Sequence, residues 1–157
     1  MSQQARLIIV CGLPGVGKTS HAKSLETEFQ AFRFCPDEWM EALDINLWEA
    51  EKRSQIEALQ WQLGQRLLTL GQTVVIEWGT WAREERERLR VGARALNATT
   101  ELHYLSAPPE TLFERIQKRA REKPPITLAN LREWAQTFEV PTSEEMALYD
   151  RSIELKV

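Results

Sequence analysis

Leu7-Ile8-Ile9-Val10-Cys11-Gly12-Leu13-Pro14-Gly15-Val16-Gly17-Lys18-Thr19 is the stretch on which the fold turns. Its first five residues form a short, unbroken apolar run rich in β-branched side chains. A strand covered on both faces reads this way. The next eight match G-x-x-x-x-G-K-[ST] at every fixed position, and a helical pattern follows from about Lys18 to Phe29. Glycines are required because successive backbone N–H groups must turn inward toward phosphate oxygens, and side chains would obstruct them. The helix adds its N-terminal dipole to the same anion site. Gly12, Leu13, Pro14, Gly15, Val16, Gly17, Lys18, Thr19 and Ser20 are therefore assigned to a nucleoside triphosphate. Within that set, Lys18 serves the β- and γ-phosphates and the Thr19 hydroxyl serves Mg²⁺. By chance the pattern arises in a chain of this size on the order of once in 200, and the flanking strand and helix make accident rarer still.

Outward from that loop, strands and helices alternate. Phe32 to Cys35 reads as a second strand, stopped by Pro36. A long helix over about Leu47–Leu70 sets Ile56, Leu59, Leu63, Leu67 and Leu70 at helical spacing, with Gly71 as its C-terminal stop. Thr73–Glu77 is a third buried strand, Arg83–Leu96 a charged helix, and Thr99–Leu105 a fourth strand. A helix opened by Pro108-Pro109 reaches about Arg121, another covers Leu128–Phe138, and Ser152–Val157 is a last strand. Such alternation predicts an α/β fold, a parallel sheet with helices on both faces. With 157 residues and neither internal repeat nor linker, a single domain over 1–157 is expected.

Lys+Arg 20 against Asp+Glu 23 leave a net charge of −3, which argues against long nucleic acid as a partner without excluding it. Two isolated cysteines, Cys11 and Cys35, make neither a zinc site nor a disulfide framework and read as small buried hydrophobes. No apolar stretch reaches the roughly 18 residues that a membrane helix needs, so a cytoplasmic protein is expected. His21 and His103 are given no role.

Two further features point to phosphoryl transfer. Asp37 follows the second strand, and ligands of parallel sheets gather at the carboxyl ends of strands. A carboxylate there can orient a hydroxyl and accept its proton, with Glu38 as the weaker candidate. Arg115 and Arg119, four apart on one helix, can neutralise charge on a transferred phosphoryl group. No N-K-x-D segment of guanine-specific switch proteins is present.

The chain resembles the small P-loop kinases grouped with zeta toxins, chloramphenicol phosphotransferase and the kinase domain of phage polynucleotide kinase. The residues that carry the resemblance are Leu7 to Thr19, Pro36-Asp37-Glu38, Val74-Val75-Ile76-Glu77, Tyr104-Leu105, and Arg115 with Arg119. It implies a three-layer P-loop fold with a five-stranded parallel sheet ordered 2-3-1-4-5. It also implies MgATP, Asp37 as the catalytic carboxylate, Arg119 reaching the phosphates from a lid, and Arg115 over the adenine. Pro141, in Glu139–Thr142, corresponds to the family segment beside the base. Glu77 stands where many relatives have Asp, with a metal role implied alongside Thr19.

On the acceptor side, Trp39, Trp78 and Trp81 follow strand ends and could stack on a flat substrate or exclude water. Strand alternation ranks Trp39 and Trp81 above Trp78. Arg83 is the residue of its mixed-charge helix best placed to touch an anionic substrate. The expected function is transfer of the γ-phosphate of MgATP to the hydroxyl of a small acceptor. The alternatives are a polynucleotide 5′-hydroxyl kinase and an ATP-dependent switch acting on a protein partner.

Overall fold

The computed structural model describes residues 4–157; residues 1–3 of the expected 1–157 span lie outside them. Five parallel strands, β1 (Arg6–Cys11), β2 (Phe32–Phe34), β3 (Thr73–Ile76), β4 (Thr99–Ser106) and β5 (Arg151–Lys156), form one sheet in the order β2-β3-β1-β4-β5. The central strand is the one that leads into the glycine loop. Its continuous apolar run has a direct cause in the alternation of side chains. Leu7, Ile9 and Cys11 face one core, which they share with Val74, Ile76, Leu89 and Leu102. Ile8 and Val10 face the other, with Val75, Leu25, Leu112 and Ile116.

Helices α1 (Lys18–Phe29), α5 (Pro109–Arg119) and α6 (Leu128–Thr137) cover the second face. Helices α3 (Ala50–Thr69) and α4 (Arg83–Ala95) cover the first. Two short helices, α2 (Pro36–Ala42) and α7 (Ser143–Met146), sit in the connections. No helix among the described residues is long and apolar enough to cross a membrane.

Three local readings are corrected. The second strand ends at Phe34, and Cys35 becomes the N-cap of α2 with Pro36 in its first turn. The long helix begins at Ala50, not Leu47, because residues 43–49 form the connection out of α2. Its buried positions are Ile56, Gln60, Gly64 and Leu68, whereas Leu59 and Leu63 are exposed. Gly64 allows the approach, with Phe34 and the Val74 side chain 3.6 Å from where its Cβ would stand. The helix thus meets the sheet on an i, i+4 row that contains a glycine and a glutamine, and the leucine pattern lies to one side of it. Leu68→Ala should therefore cost about 2–5 kcal/mol, the usual price of truncating a buried leucine. Leu63→Ser should shift stability by no more than about 0.5 kcal/mol. Urea denaturation of the two variants side by side checks the assignment; equal losses would place both leucines in the core.

Cys11 and Cys35 are buried, and burial pushes both thiols up to about 12. His21 and His103 meet at 2.8 Å between Nε2 and Nδ1, on the α1 face of the sheet, and neither lines the cavity described below.

Candidate active site

The carboxyl edge of the sheet opens into a cavity of about 670 Å³, within the usual range for a ligand site. Its floor is the loop between β1 and α1. Gly15 takes a φ of 84°, and a Cβ on it would stand 2.9 Å from the Leu112 carbonyl oxygen. Gly17, the N-cap of α1, takes a φ of 101° that an L side chain rarely adopts. No side chain caps α1, so the N–H groups of its first turn are left for an anion.

Lys18 Nζ donates to the carbonyl oxygens of Gly12 (2.9 Å) and Leu13 (3.0 Å), which folds its ammonium over the loop. Burial pulls that ammonium down to about 8, against the opposing influence of the Asp37 and Glu77 carboxylates. A cation so short of solvation is favoured by any anion that enters the loop.

Thr19 Oγ1 donates to Glu77 Oε1 at 2.6 Å, and the other Glu77 oxygen accepts from Arg33 Nη1 at 2.9 Å. Glu77 follows β3 directly and is 4% exposed. Its face follows from alternation: Ile76 points into the α3/α4 core, so Glu77 turns toward the α1 face and the loop. A hydroxyl and a carboxylate in contact are hard oxygen donors of the kind Mg²⁺ accepts. Among the described residues no cluster of three or more His, Cys, Asp or Glu could hold a metal unaided. A metal bound here would need oxygen donors beyond these two side chains.

Asp37 lies in the first turn of α2, one position inside the helix and so not its cap. Its Oδ1 accepts from Arg53 Nη1 of α3, and its Oδ2 from Arg121 Nη2 at 3.0 Å. Burial pushes its carboxyl up, but Arg53, Arg121 and Lys18 together outweigh that and hold it below the ordinary range. It is ionised at neutral pH and presents acceptor oxygens. Glu38 is tied to Arg33 through both carboxylate oxygens and does not reach the cavity.

Arg115 and Arg119 both line the cavity. Arg115 Nη1 donates to the carbonyls of Gly15 and Val16 at 3.4 Å, so it lies on the phosphate loop. Arg119 Nη2 donates to Glu122 Oε1 at 2.9 Å, at the root of the segment between α5 and α6. That segment reaches across the opening: Asn46 Nδ2 donates to the Lys123 carbonyl, and Trp48 Nε1 to that of Pro124. Pro141 is buried and is not among the residues lining the cavity.

The aromatic wall differs from the one expected. Trp78 and Trp81 line the cavity, but Trp39 does not: it packs edge-on against Phe34 on the first core. A residue two places after Asp37 on a helix points well away from it, so closeness in sequence does not bring Trp39 to the cavity. The remaining wall is Trp48 and Trp134, with Trp134 at 5.9 Å from the Trp48 ring and 5.6 Å from the Trp81 ring. Arg83 also lies outside the lining. The consequential arginine of α4 is Arg86, one turn further on and fully buried. It forks onto Glu145 (2.6 and 2.9 Å) and donates to the carbonyls of Thr80 and Glu139, both at 2.7 Å.

Arg33, Arg53, Arg86, Arg121, Trp48 and Trp134 were not singled out from sequence. Arg121 stands with Lys118, Arg119 and Lys123 in a locally basic stretch of sequence; the others carry no local signal, because their partners lie on distant elements.

A glycine loop at an uncapped helix terminus, with Lys18 over it and a Thr–Glu pair beside it, defines a P-loop nucleoside-triphosphate-binding protein. The AAA_33 family, described as an AAA domain, matches residues 7–141, and the chain belongs to that family. No curated protein sequence matches it. Among solved structures it is similar to a Chloroflexus aurantiacus protein assigned as a kinase, with TM-score 0.76 and 19% identity over 98% of this chain and 89% of that one. A gluconokinase from Sinorhizobium meliloti follows, with TM-score 0.64 and 20% identity over 99% and 84%. The APS kinase CysC of Mycobacterium tuberculosis has TM-score 0.67 and 14% identity over 97% and 89%. The fold is the one these P-loop kinases have.

Proposed function

We propose that this chain is one kinase domain that transfers the γ-phosphate of MgATP to a hydroxyl of a small acceptor. The observation that carries this reading is that Lys18, Thr19, Glu77 and Asp37 all line one cavity, on the carboxyl edge of the sheet. The structure of the similar M. tuberculosis APS kinase is a complex with AMPPNP and APS, which supports a nucleotide ligand here.

In this reading the P-loop N–H groups and Lys18 bind the β- and γ-phosphates. Arg119, and Arg121 beside it, face the transferred group. Thr19 and Glu77 hold Mg²⁺, which when bound neutralises phosphate charge. The acceptor oxygen forms a bond to the γ-phosphorus as the bond to the β–γ bridging oxygen breaks, and ADP leaves. The hydroxyl proton departs toward Asp37. With its basicity lowered by two arginines, Asp37 acts chiefly by orienting the hydroxyl, which suits a loose transition state that asks little of a base. The tryptophan wall and the segment over residues 120–127 exclude water, which limits hydrolysis of ATP.

Incubation with γ-labelled ATP and a panel of sugars, nucleosides, amino alcohols and oligonucleotides tests the assignment. Labelled product from one class supports it. ATP hydrolysis that no acceptor changes, and that a protein partner alters, would support a switch instead. The cavity lining sets Glu57, Glu77, Glu85 and Glu122 among its basic residues and forms no purely basic groove, which weighs against a polynucleotide acceptor.

Asp37→Asn should lower phosphoryl transfer by roughly 10²-fold or more, the usual scale of a positioned proton acceptor. ATP affinity should barely change, since the amide keeps the shape and the P-loop is untouched. Steady-state kinetics with a nucleotide-binding titration separates the two. Normal turnover with lost affinity would move Asp37 to the nucleotide or its metal.

A further inference from the structure

Arg33 of β2 lies outside the cavity lining, yet it holds a residue that lies inside it. Register pairs Arg33 with Val75, which faces the α1 core, while Phe34 faces the other core. Arg33 therefore turns toward α1, the side on which Glu77 also stands, two residues beyond Val75. The Arg33 side chain is 9% exposed and that of Glu77 2%. Nη1 donates to Glu77 Oε2 at 2.9 Å, and Nη2 donates to both oxygens of Glu38 at 2.9 Å. Nε lies 3.5 Å from Glu26 Oε1 of α1. Glu38, the weaker candidate base in the sequence, thus steadies the far side of the guanidinium.

Both Glu77 oxygens are thereby engaged: Oε2 accepts from Arg33, and Oε1 accepts from the Thr19 hydroxyl at 2.6 Å. A hydroxyl has one hydrogen and two lone pairs. With the hydrogen drawn to Glu77, the lone pairs of Thr19 Oγ1 are left for a cation in the cavity that Thr19 lines. A hydroxyl free to rotate could turn its hydrogen there and repel the same cation. A carboxylate buried this deeply needs a counter-charge and a fixed orientation to serve as that acceptor. Arg33 supplies both. Stability alone does not call for the arginine, since apolar side chains of similar size are often as stable as a buried ion pair.

We infer that Arg33 is a positioning residue for magnesium: through Glu77 it sets the Thr19 hydroxyl with its lone pairs toward the metal. It thereby sets how much Mg²⁺ the nucleotide needs for tight binding. The inference rests on the MgATP part of the kinase reading and is independent of the acceptor. Arg33, outside the cavity lining, acts only through Glu77.

The test measures AMPPNP binding by calorimetry, in EDTA and over a titration of MgCl₂. It compares the parent with Arg33→Met, Arg33→Lys, Glu77→Gln and the double variant Arg33→Met with Glu77→Gln, each checked for folding by circular dichroism. Arg33→Met should raise the Mg²⁺ concentration for half-maximal tightening by about 10–100-fold, the usual effect of removing a group that orients a metal ligand. Affinity in EDTA should stay at the parental value, a split that a general loosening of the fold would not give. Arg33→Lys should fall between parent and Arg33→Met, because an ammonium keeps the charge but lacks the fork that spans Glu38 and Glu77. On the Glu77→Gln background, Arg33→Met should add no further rise. A parental Mg²⁺ requirement in Arg33→Met, or in Arg33→Lys where Arg33→Met fails to fold, overturns the inference. So does a loss of affinity that is equal in EDTA and in Mg²⁺, or a rise that persists on the Glu77→Gln background. A parent that binds AMPPNP no more tightly with Mg²⁺ than without it overturns the MgATP reading and the inference together. Absence of phosphate transfer to any acceptor counts against the kinase reading alone.

Discussion

Lys18→Ala is expected to reduce ATP-dependent turnover by at least about 10³-fold while the protein remains folded. Removal of a single neutral donor aimed at developing charge already costs on the order of 10²–10³-fold, and Lys18 carries a full charge. Its ammonium lies on the Gly12 and Leu13 carbonyls, where burial strips it of solvent and holds it at about 8. The side chain has no other hydrogen-bond partner among the described residues, so its loss should leave the melting temperature close to that of the parent. The expected signature is a collapse of turnover, with a folded circular dichroism spectrum. A variant that turns over ATP as the parent does would remove the loop from the chemistry.

The second large effect concerns Arg86. Removing this buried arginine leaves Glu145, 1% exposed, with an uncompensated charge, and frees the carbonyls of Thr80 and Glu139 from their donors. Arg86→Leu should destabilise by about 3–5 kcal/mol, the cost of breaking a buried pair from one side. For a chain of this length that corresponds to a fall in melting temperature of roughly 10 °C. Arg86 also grips a strained turn, because Thr80 holds a φ of 43° that β-branched residues avoid. That turn carries Trp81, so loss of Arg86 should disturb the tryptophan wall of the cavity as well as weaken the fold. Replacing both partners, Arg86→Leu with Glu145→Leu, should recover much of the stability, since no charge is then left buried alone. Thermal melts of the parent, both single variants and the double variant form the cycle. An unchanged melting temperature in Arg86→Leu would show that the pair is solvated in solution.

How much was legible follows from the reach of each interaction. The β1–loop–α1 unit could be read directly, because its chemistry is local. A buried strand, glycines with special φ values and a helix N-terminus are contiguous in the chain, and the helix has the bounds Lys18–Phe29 that the sequence suggested. The alternation of strands and helices is local too, and with the P-loop it determined the class of fold. The strand order came from resemblance rather than periodicity, and the sheet has that order.

What only the tertiary structure decided are the relations between distant segments. Gln60 and Gly64 rather than Leu59 and Leu63 face the sheet, because the close approach of α3 depends on Phe34 and Val74 as much as on the helix. Trp39 is core because it leaves α2 on the side away from Asp37, toward Phe34, and Trp134 is wall because α6 brings it to the cavity. Most plainly, a run such as Arg83-Glu84-Glu85-Arg86-Glu87-Arg88 reads as a uniformly charged, solvated helix. Sequence therefore determined the P-loop end of the cavity, whose parts are neighbours along one chain segment. Folding alone determined the fates of this helix, where Arg86 is buried, Glu85 faces the cavity and Arg88 is exposed, because each depends on a partner or a cavity that another element supplies.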